Sequence, residues 1–548
     1  MYRQILDPVG HSLAWSSLVA VLPLLLLFVL LGVVRLRAWV AALTSLALAI
    51  VIAIVVYGMP TGQALLATSE GAVFGFFPIL WIVINAIWVY QMTVETGHFD
   101  VLRRSFASVS DDHRIQAIII AFSFGALLEA LAGFGTPVAV TSVMLIALGF
   151  KPLKAAVLAL VANTAPVAFG AMATPIITLA KVTNLPTDTL GAMVGRQTPI
   201  MALFVPLALV FITDGRRGLR EAWPAALTGG IVFSLAQFAT SNFVSVPLAD
   251  VIASLLSAGA VVALVRLARP LHIHTRPPVV AGGAADAPTP EFAERVAHPD
   301  SRGDVVRAYA PYLIIIAVFV ICQISAVKKL LDKATFNVHW PGLHLYGPTG
   351  KPLSLATFSF NLLTSPGTQM LFAGIITMAA LGLSVPRAVR AYGATLHQLR
   401  WAILTVMAVL ALAFVMNASG QTITLGTWMA GAGSLFALLS PILGWLGTAV
   451  TGSDTSANSL FGALQVTAAT KAGLPTVLMA AGNSSGGVLG KMVSPQNLAI
   501  VAAAVAMHGK EGDIFRRVVL WSVVLLLVMC VIVALQGTPV LGWMIPSH

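Results

Sequence analysis

The sequence predicts an all-α polytopic membrane protein of roughly 12–14 membrane segments, built as two inverted repeats with broken or re-entrant helices. Three observations lead there. Of 548 residues, 58% are hydrophobic and only 9% charged, with a mean hydropathy of +0.92; a soluble domain carries roughly a quarter charged residues. Apolar runs of about 20 residues recur along the whole chain, each long enough to cross a hydrocarbon core. A polar motif closed by proline occurs twice, once in each half.

Inside lipid every backbone N–H and C=O must find a partner within the protein, so the spans are expected to be helices. In the N-terminal half the apolar runs fall at 14–34, 38–58, 71–91, 115–150, 154–181, 192–213, 222–243 and 247–266. In the C-terminal half they fall at 309–326, 368–386, 401–417, 427–450, 455–470, 476–505 and 518–537. The first run is full length and ends at Arg35 and Arg37, so it reads as a retained helix, not a cleaved signal. Between the halves, "RPPVVAGGAADAPTPEFAERVAHPDSRGD" is rich in Pro, Ala, Gly and charge and reads as a flexible linker. The expected division is therefore 1–268, a transmembrane half with the first repeat; 269–307, a hydrophilic cytoplasmic linker loop; and 308–548, a transmembrane half with the second repeat. A second polar stretch, Lys328 to Gly367, reads as a loop on the other face, too short for a catalytic domain.

The net charge of +11 does not indicate nucleic acid. Arginine and lysine gather in short loops, at Arg35/Arg37, Arg103/Arg104/Arg114, Arg216/Arg217/Arg220, Arg387/Arg390/Arg400 and Lys510/Arg516/Arg517. The positive-inside rule makes those loops cytoplasmic and leaves both termini outside. Cys322 and Cys530 lie in apolar runs without metal-ligand spacing, so neither a disulfide framework nor a metal site is expected, and no cofactor. No phosphate-binding loop is present, which speaks against an ATP-driven pump. "GNSSG" with His508, and "GSD", only faintly resemble intramembrane protease patterns, so the chain is not expected to be an enzyme.

The repeat is the most informative feature. "NTAPVAFGAMATP" from Asn163 and "NSSGGVLGKMVSP" from Asn483 share Asn, a hydroxyl residue, Gly, Met, a second hydroxyl residue and Pro in register. Upstream, "AGFGTPVA" (132–139) roughly parallels "TGSDTSAN" (451–458). Each half therefore carries a Gly-rich break and then an Asn/Gly/Pro break. The first copy is approached from the basic loop ending in Arg114, the second from the uncharged "NASGQTITLGT", so the copies are expected to be inverted. Inverted repeats with broken helices in corresponding places point to a secondary transporter site near the midplane.

Ionisable residues at that depth are costly and mark function. Glu129, in "LLEALAGFGTPVAV", and Asp454, in "VTGSDTSANS", are the acids expected to carry a coupled proton; the bland alternative is that they cap backbone amides freed at the breaks. Ser453, Thr455, Ser456 and Asn458 form a patch unusually polar for a membrane segment and suited to a small polar ligand. Lys491, standing where the first copy has Ala171, and Arg196 are the cations that would hold an anionic substrate, unless they snorkel to the headgroups. Amides freed at the breaks add anion donors, which makes Gly133, Gly135, Asn163, Asn483, Ser484 and Ser485 candidates too.

Through "NTAPVAFGAM" (163–172), "GRQ" (195–197), "SPILGWLGTAVTGSDTSANSLFGALQ" (440–465) and "GGVLGKMVSPQ" (486–496), the chain resembles the bacterial lactate permease family over nearly its whole length. The resemblance implies proton-coupled uptake of lactate and glycolate across the inner membrane, with lactate or glycolate, a proton and the bilayer as the partners. Where the family usually reads E-G-A-A-G-F-G-A-P, this chain has "EALAGFGTP", so Ala130, Leu131 and Thr136 leave the preferred acid open. A sodium-coupled or dicarboxylate transporter of the same fold is the alternative.

Overall fold

The computed structural model describes residues 1–107, 109–110, 112–133, 135–267, 301–507 and 510–546. Most of the expected 269–307 linker, and His508, lie outside the described residues. The chain resumes within that segment as the helix Arg302–Gln323, where the Ser301 side chain accepts from Asp304 N. Among the described residues, ten helices are long and apolar enough to cross a membrane, or up to eleven with one bent pair. One of them, Thr187–Phe243, crosses twice. It leaves helical geometry at Asp214 and Gly215 and doubles back, so that Ser234 Oγ donates to Pro199 O at 2.7 Å.

The first repeat starts on the arginine-rich face. Arg114 pairs there with Asp112 at 2.8 Å and Glu221 at 2.6 Å, and Lys154 Nζ donates to Thr213 O at 2.9 Å. From this face His113–Leu131 runs inward, and Thr136–Ala147, entered through Gly135 in the left-handed region, returns. Gly125 lies beside Thr141 partway along, and the His113 and Phe150 rings stack at 4.7 Å at the base. The 115–150 run is thus a re-entrant hairpin. Next, Pro152–Ala162 goes inward again and, after a 66° bend, Val167–Thr183 continues to the opposite face.

The second repeat does the same from that opposite face. Phe436–Thr451 and Asp454–Ala472 lie antiparallel, with Gly447 against Ala457 and Phe461, and Gln465 Nε2 donating to Ser440 O at 3.0 Å. Thr476–Gly490 follows, then the break at 491–494 and the helix Pro495–Ala504. Glycine makes both hairpin tips possible: Gly135 at φ +81° and Gly452 at φ +75° occupy the left-handed region that side chains disfavour.

The halves meet reciprocally. Gly135, at the start of Thr136–Ala147, lies against Ile500 and Asn497 of Pro495–Ala504, and Gly462 of Asp454–Ala472 lies against Leu179 and Val182. In each half, the helix after the first break touches the helix after the other half's second break. That i-to-j and j-to-i pattern is the mark of an internal two-fold relation.

The segment read as an outer loop contains β structure. Thr335–His339 pairs antiparallel with Thr357–Asn361, and Tyr2–Arg3 pairs parallel with Leu345–Tyr346. "TFNVH" and "TFSFN" supply the β-branched and aromatic residues that strands favour. The Tyr2 hydroxyl donates to Tyr57 O at 3.0 Å and Ser419 O at 2.8 Å, which fixes the N-terminus to this face.

Candidate substrate site

All four breaks contribute to one cavity of about 580 Å³. Gly133 comes from the first, Gly170 and Ala171 from the second, Gly452 and Ser453 from the third, and Lys491 from the fourth. Arg37, Trp39, Trp401 and Thr405 complete the wall, with the two indoles stacked at 5.1 Å. Arg37 belongs to the basic loops, so the cavity reaches toward the arginine-rich face.

In its wall Lys491 Nζ lies 2.5 Å from Glu129 Oε1, with both side chains more than nine-tenths buried. Asn163 Nδ2 donates to the other Glu129 oxygen at 2.9 Å. Glu129 sits in the last full turn before the first break, Lys491 in the first residue of the fourth. One charge therefore comes from each half of the chain.

Asp454, the first residue of its helix, faces the same cavity and makes no direct ion pair among the described residues. Ser484 Oγ donates to its Oδ2 at 2.7 Å and Asn458 Nδ2 at 3.3 Å, while Thr448 Oγ1 lies 3.5 Å from Oδ1. The donors are themselves held. Asn483 Nδ2 donates to Asn458 Oδ1 at 2.9 Å, Gln465 Nε2 to Asn483 Oδ1 at 3.0 Å, and Asn458 Nδ2 reaches Pro175 O at 3.1 Å. Asp454, Asn458, Asn483, Ser484 and Gln465 thus form a buried network that ties the helix after the third break to the helix after the second. At Gly487 any Cβ would collide with Asp454 Oδ1.

Of the residues the sequence singles out, Glu129, Gly133, Ser453, Asp454, Thr455, Ser456 and Lys491 line the cavity. Asn163, Asn458, Asn483 and Ser484 stand behind the two acids. Gly135 is at the hairpin tip against Ile500. Gly135, Ser485 and Arg196 are not brought to the site. Ser485 Oγ donates to Gln197 Oε1 at 2.6 Å, and Gln197 in turn to Gln536 at 2.8 Å. Arg196 turns to the C-terminal segment, with Nε on Asn242 Oδ1 at 3.0 Å and Nη1 on Met544 O at 2.7 Å. Its guanidinium is spent on a local contact, so Lys491 is the cation beside the breaks.

Sequence reasoning missed the mouth residues Trp39, Trp401 and Thr405, and read Arg37 only as a loop charge. It also passed over two buried acids in apolar runs, Glu70 (1% exposed) and Asp250 (0%). The signal that marked Glu129, an acid within a greasy run, marks both equally.

The sequence profile of the L-lactate permease family matches residues 16–540. The chain is 40% identical to an L-lactate permease of Bacillus subtilis (strain 168), covering 100% of both chains. It is also 40% identical to the glycolate permease GlcA of Escherichia coli (strain K12), over 99% of each, and 40% identical to that organism's L-lactate permease, over 100% of each.

Proposed function

Because the chain belongs to the L-lactate permease family, whose members are multi-pass bacterial membrane transporters, we propose that it is a proton-coupled symporter. It takes up lactate and related 2-hydroxymonocarboxylates such as glycolate across the inner membrane. The observation that carries this reading is the Lys491–Glu129 pair in the wall of the cavity.

The pair couples the two fluxes by charge. With Glu129 ionised, the Lys491 ammonium is already neutralised, and a substrate carboxylate would be a second anion on one cation. With Glu129 protonated and no substrate, Lys491 is a buried unpaired charge. Each mismatched state costs several kcal/mol in a dry site. A proton on Glu129 together with a carboxylate on Lys491 restores neutrality, so both ligands bind together or neither does. The Ser453, Thr455 and Ser456 side chains offer partners for the 2-hydroxyl, and backbone amides at the breaks add donors for the carboxylate. Asp454 is the second acid available to the proton. Halves 1–268 and 308–548, one supplying each member of the pair, would rearrange about this point to present it to either side.

Glu129→Gln fixes the protonated-like state. In proteoliposomes, lactate-for-lactate exchange should persist while lactate-driven proton uptake disappears. Full lactate-driven proton uptake by Glu129→Gln would remove Glu129 from the coupling.

A further inference from the structure

A second cavity, of about 280 Å³, lies on the opposite face. Gln4 and Asn417 line it beside the anchored N-terminus, as does Ser359 of the outer strands. The same two helices form walls of both cavities. Gly170–Thr183 gives Gly170 and Thr174 to the inner one and Lys181 and Thr183 to the outer. Asp454–Ala472 gives Asp454–Ser456 to the inner one and Ala463, Val466 and Thr467 to the outer. Between the cavities Gly462 closes against Leu179 and Val182.

Two charged side chains line the outer cavity, Glu70 and Lys181. Glu70 is 1% exposed and its Oε2 accepts no hydrogen bond. Lys181 makes no ion pair or hydrogen bond among the described residues. The other two cavity acids are satisfied, Glu129 by Lys491 and Asn163, Asp454 by side-chain donors. A buried carboxylate without a hydrogen-bond donor or a cation on it is costly to ionise. The helix Val385–Ser419 presents only Phe414 and Asn417 here, and the outer segment only Thr357, Ser359 and apolar side chains, so no further titratable group lines the space among the described residues.

We propose that the outer cavity is a loading site for a small monocarboxylate and a proton, the anion held by Lys181 and the proton carried by Glu70. This rests on the symport reading above and extends it to a second position on the path. An anion arriving alone would set its charge beside the Glu70 carboxylate. With Glu70 protonated, the acid O–H donates to the ligand, and the cavity holds one anion on one cation. The rule that governs the inner pair thus already applies at the outer face, and the ligands reach the seal at Gly462 in matched number.

The test is equilibrium binding of labelled L-lactate to the purified full-length protein at acidic pH. The wild type should bind two lactates per chain. Lys491→Met should keep one, and Lys491→Met/Lys181→Met none, while Lys491→Met/Lys181→Arg keeps the outer one. In the Lys491→Met background, raising the pH should release the remaining lactate, and Glu70→Gln should abolish that pH dependence. Thermal unfolding of each variant separates lost binding from lost fold. The outer site is refuted if Lys491→Met binds no lactate while the wild type does, or if the remaining lactate survives Lys181→Met in a folded protein. A folded wild type that binds no lactate overturns the symport reading itself.

Discussion

Lys491 and Glu129 neutralise each other across the two halves of the chain, and removing one member leaves the other buried without a partner. Lys491→Met should therefore destabilise the protein by about 3–5 kcal/mol. The double variant Lys491→Met/Glu129→Gln should recover most of that while still failing to bind lactate at the inner cavity. Thermal unfolding in detergent, paired with lactate binding, checks both; a double variant no more stable than the single would mean the charge balance is not what holds the site. Glu129, Asp454 and Lys491 were legible in the sequence because a charged residue in an apolar run has few cheap explanations. Glu70 and Asp250 gave the same signal, but the breaks near them, at 75–80 and 246–248, do not recur in the other half of the chain, and only the fold puts Glu70 in a cavity. The destination of Arg196 was not legible, since its partner Met544 lies at the far end of the chain.

At the scale of elements, the breaks were readable from Gly, Asn and Pro, and the structure interrupts its helices where those residues cluster. Whether a long apolar run crosses or turns back was not readable, because length and hydropathy are the same in both cases. What decides it is contact between arms, such as Gly447 on Phe461, and the placement of both ends on one face. The outer strands were missed for another reason: their β-prone residues are interleaved with loop-forming ones over a short stretch. The second break also holds three consecutive non-glycine residues in the left-handed region, Ala171, Met172 and Ala173, at φ +44°, +56° and +60°. Such a conformation costs about 1–2 kcal/mol per residue. Ala171→Gly is expected to raise the stability of this state by about 1 kcal/mol, since glycine takes that geometry without strain. A lower unfolding temperature for the variant would mean that the turn is not strained as described.

At the scale of the molecule, the large cavity reaches the arginine-rich face while the smaller one opens opposite, and the Gly462 contact separates them. On the proposed symport reading this is the inward-facing arrangement of an alternating-access carrier. With Cys322 and Cys530 replaced, Thr405→Cys at the inner mouth should react with a membrane-impermeant thiol reagent applied from the cytoplasmic side, and lactate should slow the reaction. Labelling from the outside alone would reverse the orientation. The most direct test of symport itself uses the wild-type protein in proteoliposomes, with an inward lactate gradient and a pH-sensitive dye in the lumen. Lactate uptake should acidify the lumen beyond protein-free vesicles, at the same rate when sodium is replaced by choline. Uptake that requires sodium and leaves the lumenal pH unchanged would contradict proton coupling.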